Sequence, residues 1–239
     1  MATFILVHGG GHGGWCFNKL SPLLRERGHV VLSPSLTGCG DRKHLVTADV
    51  GLDTHITDIV NLLEYDDLTD VILLGHSYGG MVITGVADRA ASRIRDLVYL
   101  DAAHPKDGES LRVVAAGSIE PTYAGVKELN GAEMVLWPMP GFAAFFGIKE
   151  PADIAWADSK LTPHPWKCFD EPLKLQNGDA FRKIRRTNIN CTAALRNSAP
   201  EAKARQLDGD YNYEIDTGHD LMISEPRAVA DMLLEVAGR

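Results

Sequence analysis

The chain has 239 residues, of which 45% are hydrophobic and 23% charged, the composition of a globular protein with a core large enough for one domain. Its formal net charge is −8, with no basic run to reverse it locally, so nucleic acid is excluded as the expected partner. No apolar stretch reaches the ~18 residues of a membrane span, Met1-Ala2-Thr3 leads into Phe4 without the basic n-region of a secretory leader, and the scattered Cys16, Cys39, Cys168 and Cys191 predict free thiols in the cytoplasm with no membrane partner.

Short apolar runs alternate with amphipathic segments, and there is no internal repeat. Phe4 to Val7 reads as a strand that ends at His8-Gly9-Gly10-Gly11. Leu20 to Arg27 reads as a helix with Leu20, Leu23 and Leu24 on one face and Gly28 after its end. His29 to Ser33 predicts a second strand, stopped by Pro34. Ile56, Ile59, Val60 and Leu63 recur at helical spacing. Val71 to Leu74 predicts a third strand, Tyr78 to Ala91 a helix, and Asp96 to Leu100 a fourth strand.

From His104 the rhythm breaks. Residues 104–186 hold three of the four tryptophans (Trp137, Trp156, Trp166), the Phe142, Phe145 and Phe146 cluster, and eight of the twelve prolines. They read as an inserted small helical cap, with residues 1–103 and 187–239 forming the core. Thr187 to Cys191 and Tyr211 to Ile215 predict the last two strands, and Ser224 is expected to cap a final helix whose Val229, Met232, Leu233 and Val236 face inward. The pattern predicts an α/β fold: a mostly parallel six-stranded sheet with helices on both faces. Such sheets bind ligands at the C-terminal ends of their strands.

Three motifs fall at those ends. Gly75-His76-Ser77-Tyr78-Gly79 is a G-x-S-x-G nucleophile elbow, and its meaning comes from context, a strand immediately before it and a helix immediately after. His8-Gly9-Gly10-Gly11 closes the first strand, where an oxyanion hole finds one of its amides. The predicted donors are the backbone N–H groups of Gly10 and Tyr78, each of a kind worth ~3 kcal/mol to a tetrahedral oxyanion. Gly218-His219-Asp220 follows the last strand and offers His219 as general base. Of the other histidines, His8 and His76 flank motifs and read as structural, while His12, His29, His44, His55, His104 and His164 read as loop or helix-surface residues. His8 and His12 lack the helical context of a metal pair, and no H-E-x-x-H is present, so no metal is expected. The glycine-rich run after β-strand one lacks an acidic ribose partner, so no dinucleotide cofactor is expected.

With these motifs the chain resembles the hydroxynitrile lyase and methylesterase branch of the α/β-hydrolases. The resemblance rests on His8 to Cys16, Gly75 to Gly80 and Gly218 to Met222, and it is nearest to bacterial esterase-type members through Pro34-Ser35-Leu36-Thr37-Gly38 and Tyr99-Leu100-Asp101-Ala102. It implies a cofactor-free serine esterase with a small cap over a largely apolar pocket, a small-molecule ester as partner, and a homodimer as a common state. Two departures argue against cyanohydrin cleavage: Asp220 stands where one type of cyanogenic lyase has a lysine, and Gly9 where the other has an asparagine. A lyase, or a non-catalytic receptor on the same scaffold, is the competing reading.

A third departure concerns the acid of the triad. Family esterases carry an aspartate after the penultimate strand, but here that strand runs into Cys191-Thr192-Ala193-Ala194. Asp208 and Asp210 fall before the last strand, at the far edge of the sheet, and Asp216 and Asp220 are close to His219 in sequence. Asp101, ending the run Leu97-Val98-Tyr99-Leu100, lies at the correct edge and preserves the order Ser, Asp, His. The expected catalytic set is therefore Ser77, His219 and Asp101.

Overall fold

The computed structural model describes residues 1–178 and 180–239. The first part of the chain runs β1 (Thr3–Val7), α1 (Ser21–Arg25), β2 (Val30–Leu32), α2 (Leu52–Tyr65), β3 (Val71–His76), α3 (Gly79–Ala90) and β4 (Ile94–Leu100). The helix expected from Leu20 to Arg27 is only the short α1, begun by Pro22 and stopped by the left-handed Gly28, whose φ is +81°.

The segment after β4 holds the turns α4 (Leu111–Val114) and α5 (Ala116–Ile119), strands β5 (Lys127–Leu129) and β6 (Ala132–Val135), helix α6 (Pro151–Asp158), strand β7 (His164–Pro165) and turn α7 (Lys167–Asp170). The insertion expected as a small helical cap holds these short helices and also a sheet. β5, β6 and β7 form a three-stranded antiparallel sheet. Its hairpin turns at Asn130-Gly131, both at positive φ (+53° and +77°), the backbone that this dipeptide favours. Asp179 lies within residues 104–186 but outside the described residues.

The chain then completes its main sheet with β8 (Arg185–Cys191), α8 (Thr192–Asn197), α9 (Pro200–Gln206) and β9 (Tyr211–Ile215), and ends in α10 (Leu221–Ser224) and α11 (Pro226–Ala237). Ser224 is not the cap of the final helix. It closes α10, while Pro226 starts α11 directly after Glu225, because a ring-locked φ and a missing N–H suit the first helical position.

The main sheet has the order β2-β1-β3-β4-β8-β9, and every pair in it is parallel. The chain steps outward from β1 to β2, then returns to β3 on the other side of β1. That reversal opens a crevice at the carboxyl ends of β1 and β3. The register brings the strand ends level, with Val7 opposite Gly75, His76 opposite Leu100, and Leu100 opposite Ile189. Successive side chains divide between two cores. Ile5, Val7, Leu73 and Leu97 pack on α2 and α3, while Phe4, Leu6, Leu74 and Val98 pack on α1 and α11. No helix among the described residues is long and apolar enough to cross a membrane.

One contact positions the functional edge. A Cβ on Gly80, in the first turn of α3, would sit 2.1 Å from the Ala103 carbonyl oxygen. The helix therefore lies directly on the backbone leaving β4. Gly80→Ala should destabilise the fold by roughly 1–3 kcal/mol, because backbone rather than a flexible side chain must move. Gly117→Ala, where a Cβ meets nothing within 4 Å, should stay within about 0.5 kcal/mol of wild type. Urea denaturation of the two variants checks the contrast; equal midpoints would show that the α3–β4 contact is slack.

Candidate active site

Ser77 leaves β3 with φ +54°, a left-handed conformation that an L-residue adopts only when its surroundings impose it. The glycines around it are those surroundings. A Cβ on Gly75 would lie 2.5 Å from the Gly79 carbonyl oxygen, and one on Gly79 would lie 2.6 Å from that of Val7. Strand and helix thus meet backbone to backbone, and the turn between them projects Ser77. Its own peptide groups are held by β4: Ser77 N–H donates to the Leu100 carbonyl at 3.3 Å, and Ala103 N–H donates to the Ser77 carbonyl at 3.0 Å.

The glycine turn after β1 lies against this serine. A Cβ on Gly9 would meet Ser77 Cβ at 2.8 Å and His76 Nδ1 at 3.0 Å, so only glycine fits there. His8 fixes the plane of the Gly9–Gly10 peptide. Its Nε2 accepts the Leu36 amide at 3.0 Å, which leaves Nδ1 as the donor to the Gly9 carbonyl at 2.8 Å. In a trans peptide the N–H points opposite to that carbonyl, so this bond aims the Gly10 amide. Tyr78 is buried, and its hydroxyl donates to His55 Nδ1 at 2.9 Å while His55 Nε2 donates to the Thr37 carbonyl at 2.8 Å. Among the described residues, neither the Gly10 nor the Tyr78 amide donates to another protein group. Two oriented, unsatisfied amides beside a serine are suited to receiving an oxyanion.

His219 comes from the loop after β9, and Asp101 from the end of β4 at φ +44°. The Asp101 carboxylate oxygen Oδ2 lies 2.6 Å from His219 Nδ1. Its other oxygen accepts the Cys191 amide at 3.0 Å, and its own N–H donates to the Ile189 carbonyl at 2.7 Å. Burial pushes the Asp101 carboxyl up, but the hydrogen bond and charge of His219 and the Cys191 amide outweigh it and hold the group below its ordinary value. Burial likewise pushes the His219 imidazole down, and the Asp101 hydrogen bond and charge, helped by Asp220, outweigh it and leave the ring above its ordinary value. About 33% of the His219 side chain is exposed, against 5% for Asp101, so solvent screens the ring side of the pair. Asp208 and Asp210 lie at the opposite end of the sheet, where both engage Arg186.

Ser77, Asp101 and His219 line one cavity of about 640 Å³. Leu111, Val114 and Ile119 form an apolar wall, and Arg205 spans its rim to Glu109 through bonds of 2.6 and 3.0 Å. Ser77 is not hydrogen-bonded to His219, a contact that in unliganded sites is commonly long and tightens with substrate. The aromatic residues of the inserted segment do not line this cavity, although Phe146 stacks on His219 with ring centroids 6.4 Å apart. Trp156 packs on Trp15, Trp166 on Tyr123, and Phe146 on His12.

Residues 4–232 match the model of the alpha/beta hydrolase family. The chain belongs to that family. It is 37% identical to a carbendazim hydrolyzing esterase of a Nocardioides species, over 98% of both chains. It is 25% identical to an alpha-hydroxynitrile lyase of Arabidopsis thaliana, over 98% of this chain and 96% of the other. Among solved structures it is similar to an extracellular alpha/beta-hydrolase from a Paenibacillus species, with a TM-score of 0.81 and 25% identity over 98% of both chains.

In this alpha/beta hydrolase His12 lies on a loop as expected, but His55 is on the inward face of α2 and His164 is in β7, and all three are buried rather than at the surface. Their sequence neighbourhoods are polar or glycine-rich, and only tertiary packing closes over them. His12 Nδ1 donates to the Gly10 carbonyl at 2.8 Å. His164, His55 and Cys168 bring their ligating atoms within 4.8 Å of one another. Both His55 nitrogens are already committed to Tyr78 and Thr37, and burial pushes the Cys168 thiol up, so the cluster is built as a hydrogen-bonded support for Tyr78.

The charge states separate the histidines. Burial drives His8 and His76 down to about 3, whereas His219 is raised above 6.5. Nitrogen-15 NMR titration should find His219 changing protonation above pH 6.5 while His8 and His76 stay neutral through pH 5. In Asp101→Asn the His219 midpoint should fall, because the group that stabilises the imidazolium is gone. A midpoint unmoved by that substitution would show the two groups to be uncoupled.

Proposed function

We propose that this esterase-type hydrolase cleaves a small ester bearing an apolar group, through a Ser77–His219–Asp101 triad and an acyl-enzyme. The observation that carries the reading is the 2.6 Å contact of Asp101 with His219 Nδ1 in the cavity that Ser77 also lines. With Asp101 ionised, Nδ1 carries the proton, so Nε2 offers a lone pair to the serine. Ser77 Oγ attacks the carbonyl carbon as its proton passes to Nε2. The Gly10 and Tyr78 amides receive the oxyanion. Collapse expels the alcohol, which takes the proton from His219, and a water activated by the same ring then releases the acid and restores the serine.

The apolar wall of Leu111, Val114 and Ile119 supports an apolar acyl or alcohol group, and it supports reading residues 104–186 as a cap over the core. Four buried free cysteines suit a cytoplasmic setting. Cyanohydrin cleavage is disfavoured by two observations: Gly9 has no room for a side chain against Ser77, and Asp220 is buried rather than presenting a cation to the cavity.

Ser77→Ala should lower kcat for p-nitrophenyl acetate by about 10⁴-fold with the fold retained, and His219→Ala should be nearly as damaging, since members of such a unit fail together. Asp101→Asn should cost orders of magnitude by favouring the wrong tautomer. The wild-type rate should rise with pH along one limb whose midpoint lies above 6.5, because the raised imidazole must first lose its proton to act as base. Steady-state kinetics with circular dichroism as a fold control check all of this; a Ser77→Ala variant at near wild-type rate would falsify the reading.

A further inference from the structure

Asp220 directly follows the proposed base, yet its side chain turns away from the cavity and is wholly buried. Its Oδ2 lies 3.0 Å from His12 Nε2, a residue 208 positions away and itself 1% exposed. His12 Nδ1 reaches the Gly10 carbonyl at 2.8 Å. A carbonyl can only accept, so Nδ1 carries a proton, and with Asp220 ionised the ring donates at both nitrogens. On the other side His76 Nε2 stands 3.7 Å from Asp220 Oδ1 and donates to the His219 carbonyl at 3.0 Å. The Asp220 amide donates to the Phe146 carbonyl at 3.0 Å, and Phe146 packs on His12.

These contacts close a circuit. It runs from the Gly10 peptide through His12 to Asp220, along one peptide bond to His219, and through His76 to its neighbour Ser77. We propose that the His12–Asp220 pair is a strut tying the turn that presents the Gly10 amide to the loop that carries His219, so that both are positioning residues for the esterase reaction, a reading on which this inference rests. Nucleophile, base and oxyanion donor then hold their mutual distances while substrate enters and product leaves. Purely structural burial would be served as well or better by apolar side chains, because an ion pair must be desolvated to sit here. Positioning explains the polar choice: both ends of the pair are spent on the two loops that the reaction needs in register.

The groups facing His219 are Asp101 from β4, His76 from β3 and Asp220 from its own loop. Those facing Asp220 are His12, His76 and His219, with the protonated Cys16 and Cys191 thiols further out. Removing the Asp220 charge therefore leaves Asp101 as the only carboxylate beside His219 and should make the ring easier to deprotonate.

The test compares Asp220→Ala, Asp220→Asn and His12→Gln in the full chain, using p-nitrophenyl acetate and counting competent molecules by exhaustive fluorophosphonate labelling of Ser77. Asp220→Ala should lower kcat per labelled serine by about 10- to 100-fold with KM changed less than about threefold, the pattern of lost alignment rather than lost binding. Asp220→Asn, which can still bond to His12, should recover most of that loss while moving the rising limb of the kcat–pH profile to lower pH. A merely structural pair would reduce the number of labelled molecules and leave kcat per labelled serine within twofold of wild type, and that result overturns the strut, as does an unmoved limb in Asp220→Asn. Should Asp220→Ala not accumulate folded, His12→Gln decides: at least a tenfold loss per labelled serine is expected, and a wild-type value overturns the proposal. A Ser77→Ala control separates the two levels. If it is active, the esterase reading falls and takes the strut with it; if it is dead while the Asp220 and His12 variants behave as wild type, the strut alone falls.

Discussion

The close approach of bare backbone around Ser77 is the constraint from which the rest of the site follows. Where β3 turns into α3, glycine at 75, 79 and 80 lets strand, helix and the exit of β4 touch without side chains between them, and a Cβ at any of the three would enter a carbonyl oxygen. This packing holds Ser77 in a left-handed backbone that it would not choose alone. It also brings the carbonyl of Val7, the end of β1, against the start of α3. The turn bearing Gly10 and the turn bearing Asp101 are therefore located by the same contact that exposes the serine.

Around that contact the protein sorts its histidines by environment. His8, His55, His76 and His164 are buried, and burial holds them neutral, so each has one donor and one acceptor nitrogen with which to fix backbone or a tyrosine hydroxyl. His219 combines partial exposure with a carboxylate at hydrogen-bond distance, and its imidazole is raised. One side-chain type thus provides rigid support at four positions and a titrating group at a fifth, and the difference lies wholly in what surrounds the ring.

Much of this was legible in the sequence because it is local. The apolar runs at Phe4–Val7 and Val71–Leu74, the elbow around Ser77, and Asp101 at the end of its strand are each read within a few residues. The lack of a carboxylate in Cys191-Thr192-Ala193-Ala194 is legible for the same reason. The support around the glycine turn after β1 is not. His12 meets Asp220 across 208 positions, and no periodicity marks either residue as buried. The Asn130-Gly131 turn of the inserted sheet did carry a local signal, but it was obscured by the surrounding prolines and aromatics. Ser224 looked like a helix cap by residue type, and Pro226 decided the start instead.

The position of Asp101 has a consequence for how its carboxylate is held. β4 and β8 are hydrogen-bonded neighbours, and their ends face the same imidazole. β8, the neighbouring strand, contributes its Cys191 amide to the carboxylate that arrives from β4. One strand of an adjacent parallel pair thus carries the carboxyl group while the other supplies a backbone donor to it. The carboxylate's address is therefore set by two strands rather than one, and Ala194, at the exit of β8, presents only a methyl group to the cavity beside it.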